Sequence, residues 1–195
     1  LQDAAAALPA RVIPEPGGRR VLDLCAAPGG KTLQLAAWGA EVTALDISGS
    51  RMGRLAENLA RTGLRARTVV ADALDWAPDA PFDAVLLDAP CTATGTIRRH
   101  PDLPHRFDPA GLAELAALQA RLIHRAWEWL APGGTLVYAA CSLLRAEGEA
   151  QARAAFARLP GAVPVLWDGP FATPEGWLRT RPDMWAGRGG LDGFF

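Results

Sequence analysis

The chain has 195 residues, half of them hydrophobic, with 21 acidic and 20 basic side chains and a formal charge of −1. That length favours one domain with one sizeable core, the apolar fraction excludes a disordered segment, and the charge balance excludes a uniformly basic nucleic-acid binder. Arg, Asp, Gly or Pro interrupts every apolar run before it reaches the length of a membrane span, and residues 1–10 lack the basic start of a signal peptide. The first residue is Leu1 rather than Met, as expected of a piece of something longer. The three cysteines, Cys25, Cys91 and Cys141, are odd in number and widely spaced, which argues against a disulfide framework and against a zinc site. No metal is expected, and a reducing, cytoplasmic compartment is.

In chain order, residues 20–25 (RVLDLC), 41–46 (EVTALD), 66–71 (ARTVVA) and 82–88 (FDAVLLD) are short runs rich in Val and Leu that read as buried strands. Helical stretches separate them. Residues 31–39 form one, and residues 48–63 another, opened by an N-cap at Ser48, closed by Gly63, and apolar at Met52, Leu55 and Leu59 on one face. Residues 109–130 are the longest helical stretch, ended by Pro132-Gly133-Gly134; residues 135–140 are the fifth strand and 145–159 a further helix. Residues 163–167 are expected as a sixth strand and 192–195 as the start of a seventh. Strands alternating with helices predict an α/β fold: a mostly parallel central sheet with helices on both faces.

In such a sheet, ligands bind beyond the carboxyl ends of the strands. Five of those ends here carry polar or reactive groups: Cys25 to Lys31, Asp46, Asp72, Asp88 to Thr92, and Cys141-Ser142. The turn Cys25-Ala26-Ala27-Pro28-Gly29-Gly30-Lys31 enters a helix at its two glycines, where backbone N–H groups can approach a ligand. A glycine turn alone is usually only a turn. Asp46 at the second strand end is placed to accept from ribose hydroxyls and Asp72 at the third from an adenine amino group, and together they favour an adenosine site. Lys31 is the only lysine in a chain that otherwise uses arginine. CAAPGGKT also resembles a P-loop, G-x-x-x-x-G-K-[ST], but Cys25 replaces the first glycine and Pro90-Cys91 after Asp88 has no part in ATP hydrolysis. Two strand-end thiols, Cys91 and Cys141, point instead to covalent chemistry on a bound substrate. The buried fate usual for cysteine suits Cys25 better than either of these.

The segments QDAAAALPA, VLDLCAAPGGKT, DAPCTATGTIRRHPD, APGGTLVYAACS and LDGFF run from Gln2 to Phe195. Through them the chain resembles the catalytic domain of Sun/Nop-type RNA (cytosine-5) methyltransferases, most closely the bacterial 16S rRNA enzymes. The resemblance implies a Rossmann-like class I fold. It also implies S-adenosylmethionine bound by Cys25 to Lys31, Asp46 and Asp72, with Asp88 near the reacting groups. Cys141 would be the nucleophile that attacks cytosine C6, Cys91 would assist product release, and Asp88 would contact the amino and N3 edge of the base. The whole of residues 1–195 would be that catalytic domain, lacking the family's N-terminal RNA-binding domain and its extreme C-terminus. Ala140 in place of Thr before Cys141, and Thr92 and Ala93 after Cys91, depart from the usual pattern and bear on target choice rather than chemistry.

The expected substrate is ribosomal RNA, single-stranded or locally opened so that the base can leave its stack. Transfer RNA, a P-loop-like ATPase and a silent cofactor-binding RNA module remain alternatives. All three histidines lie between Ile97 and Arg125, and Arg98, Arg99 and Arg106 form with His100 and His105 a basic strip after Cys91. Such a strip can track a phosphate backbone, although charge alone favours an ordinary solvated loop. Trp127 and Trp129 read as packing residues.

Overall fold

The computed structural model describes residues 2–195. Its strands are β1 (Arg20–Leu24), β2 (Glu41–Asp46), β3 (Arg67–Val70), β4 (Phe82–Asp88) and β5 (Leu130–Ala139); its helices are α1 (Ala4–Arg11), α2 (Gly30–Ala37), α3 (Gly49–Thr62), α4 (Leu103–Arg106), α5 (Leu112–Glu128) and α6 (Glu149–Arg158). Two compact units are present, one made of residues Ala7–Ala89 and Leu122–Tyr138, the other of residues 2–6, Pro90–Arg121 and Ala139–Phe195.

The first unit holds the sheet, in the order β3-β2-β1-β4-β5. β1 pairs in parallel with β2 and with β4, and β2 with β3. Val21, Val42, Ala84, Leu86 and Val137 are packed with Ala10, Ile13 and Leu35 on one face. Leu22, Leu24, Val85 and Leu87, which alternate with them, are buried equally. Both faces of the sheet are therefore covered, as a parallel sheet requires. α3 follows the expected pattern closely: Ser48 Oγ accepts from Arg51 N, Gly63 closes the helix at φ 68°, and Met52, Leu55 and Leu59 are buried. Trp129 is buried edge-on against Trp76, their rings 5.2 Å apart, so it is a packing residue.

Several expectations are corrected. β3 is an edge strand, exposed along most of its length rather than buried, because only β2 pairs with it. Pro109–Gly111 is a single 3-10 turn capped by Asp108, and α5 starts after it. β5 begins at Leu130, taking in Pro132-Gly133-Gly134. Residues 163–167 form no strand: Val163, Val165 and Leu166 are exposed, and the backbone bond there runs from Trp167 N to Gly176 O at 2.7 Å.

The second unit contains the segments after β4 and β5. α6 starts at Glu149, four residues later than the helical pattern suggests, since a turn closed by Glu147 N donating to Leu144 O at 3.1 Å precedes it, with Glu147 buried. At the other end, Ala140 and Phe195 exchange both backbone hydrogen bonds at 3.0 Å, the bonding of an antiparallel pair, as the expected seventh strand would begin.

Candidate functional site

In the first unit, the chain leaves β1 through Cys25 at φ 63° and enters α2 through Gly29 at φ 101°. A Cβ on Gly29 would lie 2.8 Å from the Leu55 side chain, so glycine is required both by backbone conformation and by the approach of α3. Asp46, buried at the end of β2, secures this turn: its Oδ2 accepts from Ala27 N at 3.1 Å, its Oδ1 from Ser48 N at 2.9 Å, and Arg51 lies 3.4 Å from Oδ2. Arg51 also donates to Ala27 O, and Asn58 to Pro28 O at 3.2 Å. Three donors leave a carboxylate with acceptor capacity to spare, so a hydroxyl-bearing ligand remains compatible with Asp46. Asp72 accepts from Leu74 N at 2.8 Å and opens the turn after β3.

Sequence reasoning missed Ile47 and Val70. They are 67% and 57% exposed beside the ends of β2 and β3, apolar surface suited to covering by a flat ring. The signal was available, since each stands within two residues of an acid already singled out.

Lys31 reaches from α2 to the end of β4, where its Nζ lies 2.7 Å from Asp88 Oδ2. Below them Asp23 is wholly buried in β1, with Oδ2 accepting from Thr32 Oγ1 at 2.5 Å. Burial pushes its carboxyl up to about 7, against the opposing pull of Thr32 and Lys31. The Cys25 thiol is pushed up to about 12 by burial and then by the charges of Asp46, Asp88 and Asp23. It is an inert thiol, in keeping with a residue that offers only its backbone.

In the second unit, the Sγ atoms of Cys91 and Cys141 lie 3.4 Å apart, within thiol hydrogen-bond reach. The hydrogen bond to Cys141 and burial hold the Cys91 thiol far above its ordinary range, with smaller contributions from the charges of Cys141 and Glu147. The two sulfurs are thus within reach of one shared hydrogen bond, in which either can be the donor. Gly95, in the loop after Cys91, is bonded to two other segments: its N donates to Cys141 O at 2.9 Å and its O accepts from Gly193 N at 2.8 Å. A Cβ there would run into the Gly193 carbonyl. Thr92 and Ser142, which directly follow the two cysteines, belong to one polar cluster with Thr94, Gln119 and Glu147, three residues that sequence reasoning missed.

The basic strip is engaged in ion pairs. Arg99 grips the buried Asp192 carboxylate at 2.5 and 2.9 Å, Arg98 lies 2.8 Å from Asp3, and Arg106 makes only an exposed pair with Asp102 at 3.1 Å.

A family model described as 16S rRNA methyltransferase RsmB/F matches residues 11–186. Ribosomal RNA small subunit methyltransferase B of Klebsiella pneumoniae is 47% identical over 167 residues, covering 83% of this chain and 39% of that protein. The protein of the same name from Cronobacter sakazakii is 41% identical over 200 residues, covering 100% of this chain and 45% of its own length. This chain therefore spans less than half of the curated relatives it matches. Among solved structures, NSun6 from Pyrococcus horikoshii with SFG superposes with a TM-score of 0.86 at 29% identity, over 100% of this chain and 50% of that one. The sheet order and this likeness give the Rossmann-like class I methyltransferase fold. With a match covering most of its length, the chain belongs to the 16S rRNA methyltransferase RsmB/F family.

Proposed function

We propose that the protein transfers a methyl group from S-adenosylmethionine to C5 of a cytosine in RNA, with 16S rRNA as substrate and the cytoplasm as its place of action. The observation that carries this reading is the pair of thiols 3.4 Å apart, one of them held protonated, in a chain of this family. The turn from Cys25 to Lys31, the amino terminus of α2, Asp46 and Asp72 suit the cofactor: backbone N–H groups, spare carboxylate acceptors and the apolar Ile47 and Val70 match a carboxylate, ribose hydroxyls and an adenine ring. NSun6 from Pyrococcus horikoshii, of the same fold, was solved with SFG. When bound, S-adenosylmethionine supplies the methyl group as an electrophile on a sulfonium.

Cytosine C5 is a weak nucleophile. Cys141 attacks C6, forming an S–C6 bond and pushing the C5–C6 electron pair toward C5 and N3. Asp88 meets the amino and N3 edge, and the Lys31 ammonium beside it is the proton source at that carboxylate. After C5 is methylated its proton leaves to solvent, and the proton taken up at N3 returns to the Lys31–Asp88 pair. The S–C6 bond then breaks, the C5–C6 double bond is restored, and the electron pair returns to Cys141 Sγ. The Cys91 thiol next to that sulfur assists by hydrogen-bonding the departing thiolate, which leaves Cys141 ready for the next turnover.

The longer relatives support an accessory RNA-binding segment outside this chain. The test is methyl incorporation by the full-length protein into 16S rRNA, small ribosomal subunits and transfer RNA, followed by base-resolution mapping. Methylation at C5 of one cytosine in 16S rRNA is expected. Methylation of transfer RNA alone would move the substrate, and tight ATP hydrolysis with no methyl transfer would overturn the reading.

A further inference from the structure

Glu147 is fully buried, yet it lies five residues beyond Ser142 in a turn where an exposed side chain would be ordinary. Its carboxylate collects four donors. Oε1 accepts from Thr92 N at 2.9 Å and from Gln119 Nε2 at 3.1 Å; Oε2 accepts from Thr92 Oγ1 at 2.5 Å and from Ser142 Oγ at 2.6 Å. Thr92 directly follows Cys91, and Ser142 directly follows Cys141. The same Gln119 Nε2 donates to Pro90 O at 2.9 Å, so Cys91 is gripped from the residue before it and the residue after it.

The orientation of Gln119 shows that the grip has a cost. Its Oε1 is buried with no hydrogen-bond partner. Turning the amide round would satisfy nothing, because Oε1 would then face the Glu147 carboxylate and the Pro90 carbonyl. An unpaired buried acceptor is accepted in exchange for two donations, and burying such a group without a partner is unfavourable. An ordinary loop anchor needs only one or two of these bonds. Four donors drawn from the two cysteine loops and from α5 fix the sulfurs' relative placement.

We propose that Glu147 is a positioning residue for methyl transfer, holding the loops of Cys91 and Cys141 in register and keeping the two thiols chemically unequal. This rests on the reading of the two cysteines given above. The inequality has a physical source. Both oxygens of this buried carboxylate accept from Thr92, directly after Cys91, and only one accepts from Ser142, directly after Cys141, so its negative charge disfavours a thiolate on Cys91 more than on Cys141.

Glu147→Gln separates the two effects, since it keeps the shape and lets the Thr92 and Ser142 hydroxyls turn to accept, while removing the charge. Thr92→Val does the converse, deleting one donor and leaving the charge. The experiment uses the full-length protein. Alkylation of Cys91 by iodoacetamide is followed against pH by mass spectrometry, beside kcat and KM for substrate RNA. In Glu147→Gln the Cys91 profile is expected to move to lower pH. Its kcat should fall up to about 100-fold, the scale of a small misplacement of reacting groups, with KM for RNA unchanged. Thr92→Val is expected to lower kcat with the Cys91 profile unmoved. An unshifted profile with full kcat in Glu147→Gln, or a change confined to KM, overturns the proposal. If the parent protein makes no 5-methylcytosine, the reading of the activity fails, while the alkylation profile still decides whether Glu147 sets the ionisation of Cys91.

Discussion

Lys31 Nζ and Asp88 Oδ2 are 2.7 Å apart, an ion pair that joins the first turn of α2 to the last residue of β4. β1 and β4 are neighbours in the sheet although β2 and β3 come between them in sequence, so this pair spans the point where strand order reverses. With the Lys31 side chain 8% exposed and that of Asp88 30%, the pair is only partly open to solvent screening.

If that pair serves proton transfer at the base, Asp88→Asn should lower kcat by about 100-fold or more while the protein stays folded, the usual scale for a lost general acid or base. Lys31→Met should act in the same direction. Single-turnover methylation measures both; wild-type rates in Asp88→Asn would remove Asp88 from the chemistry.

For the cysteines, Cys141→Ala is expected to abolish methylation and any covalent RNA adduct. Cys91→Ala should instead accumulate a denaturant-resistant adduct through Cys141, because the departing thiolate lacks its neighbouring hydrogen-bond donor. Denaturing gels with substrate RNA separate the outcomes. Adduct in Cys141→Ala with none in Cys91→Ala would exchange the two roles.

Asp46 has a double duty, which shapes its variant. Asp46→Ala should weaken S-adenosylmethionine binding by about 1.5–3 kcal/mol, as for a lost hydrogen bond to a charged group, and should also loosen the turn at Ala27. Calorimetry reads the first and amide exchange at Ala27 the second. Unchanged affinity would withdraw the ribose assignment.

Asp23 imposes a pH dependence of stability. Its carboxyl is raised from 3.8 to about 7 on folding, so the folded state binds the extra proton between those values. Stability is therefore greatest below pH 3.8 as far as this group is concerned, and falls as pH rises through about 7. Asp23→Asn should remove that fall. In urea melts, the stability of the variant relative to the parent should rise between pH 5 and 8. A difference that does not vary with pH would show that Asp23 ionises freely.

Arg106 gives the cleanest test of the RNA strip, because Arg98 and Arg99 also tie down Asp3 and Asp192. Arg106→Gln should flatten the slope of log affinity against log salt by about 0.7, the value for one phosphate contact on a single strand, with thermal stability unchanged. Arg99→Gln should lower the thermal midpoint as well, since Asp192 is buried. A slope unaltered in Arg106→Gln would leave that residue as part of a solvated loop.

The legibility of this chain in its sequence followed the range of the forces involved. α3 was readable from Ser48 to Gly63 because caps and a helical stripe are local signals. β2 and β4 were readable because continuous apolar runs report burial on two faces. β3 looked the same but is an edge strand, and its neighbours are set by topology that composition does not carry. The acids and cysteines at strand ends could be picked out because a parallel sheet directs those positions to one side. Glu147, Gln119 and the pairing of Arg99 with Asp192 could not, since each is defined by a partner at least 28 residues away.

The ion pair at Lys31 has a practical corollary. The one ε-amino group among these 195 residues is nearly inaccessible and is held on a carboxylate. Amine-directed reagents will therefore find no exposed lysine in the folded chain. Modification of Lys31 becomes a clock for how often the end of β4 parts from α2, and a ligand that closes this corner of the sheet will slow that clock.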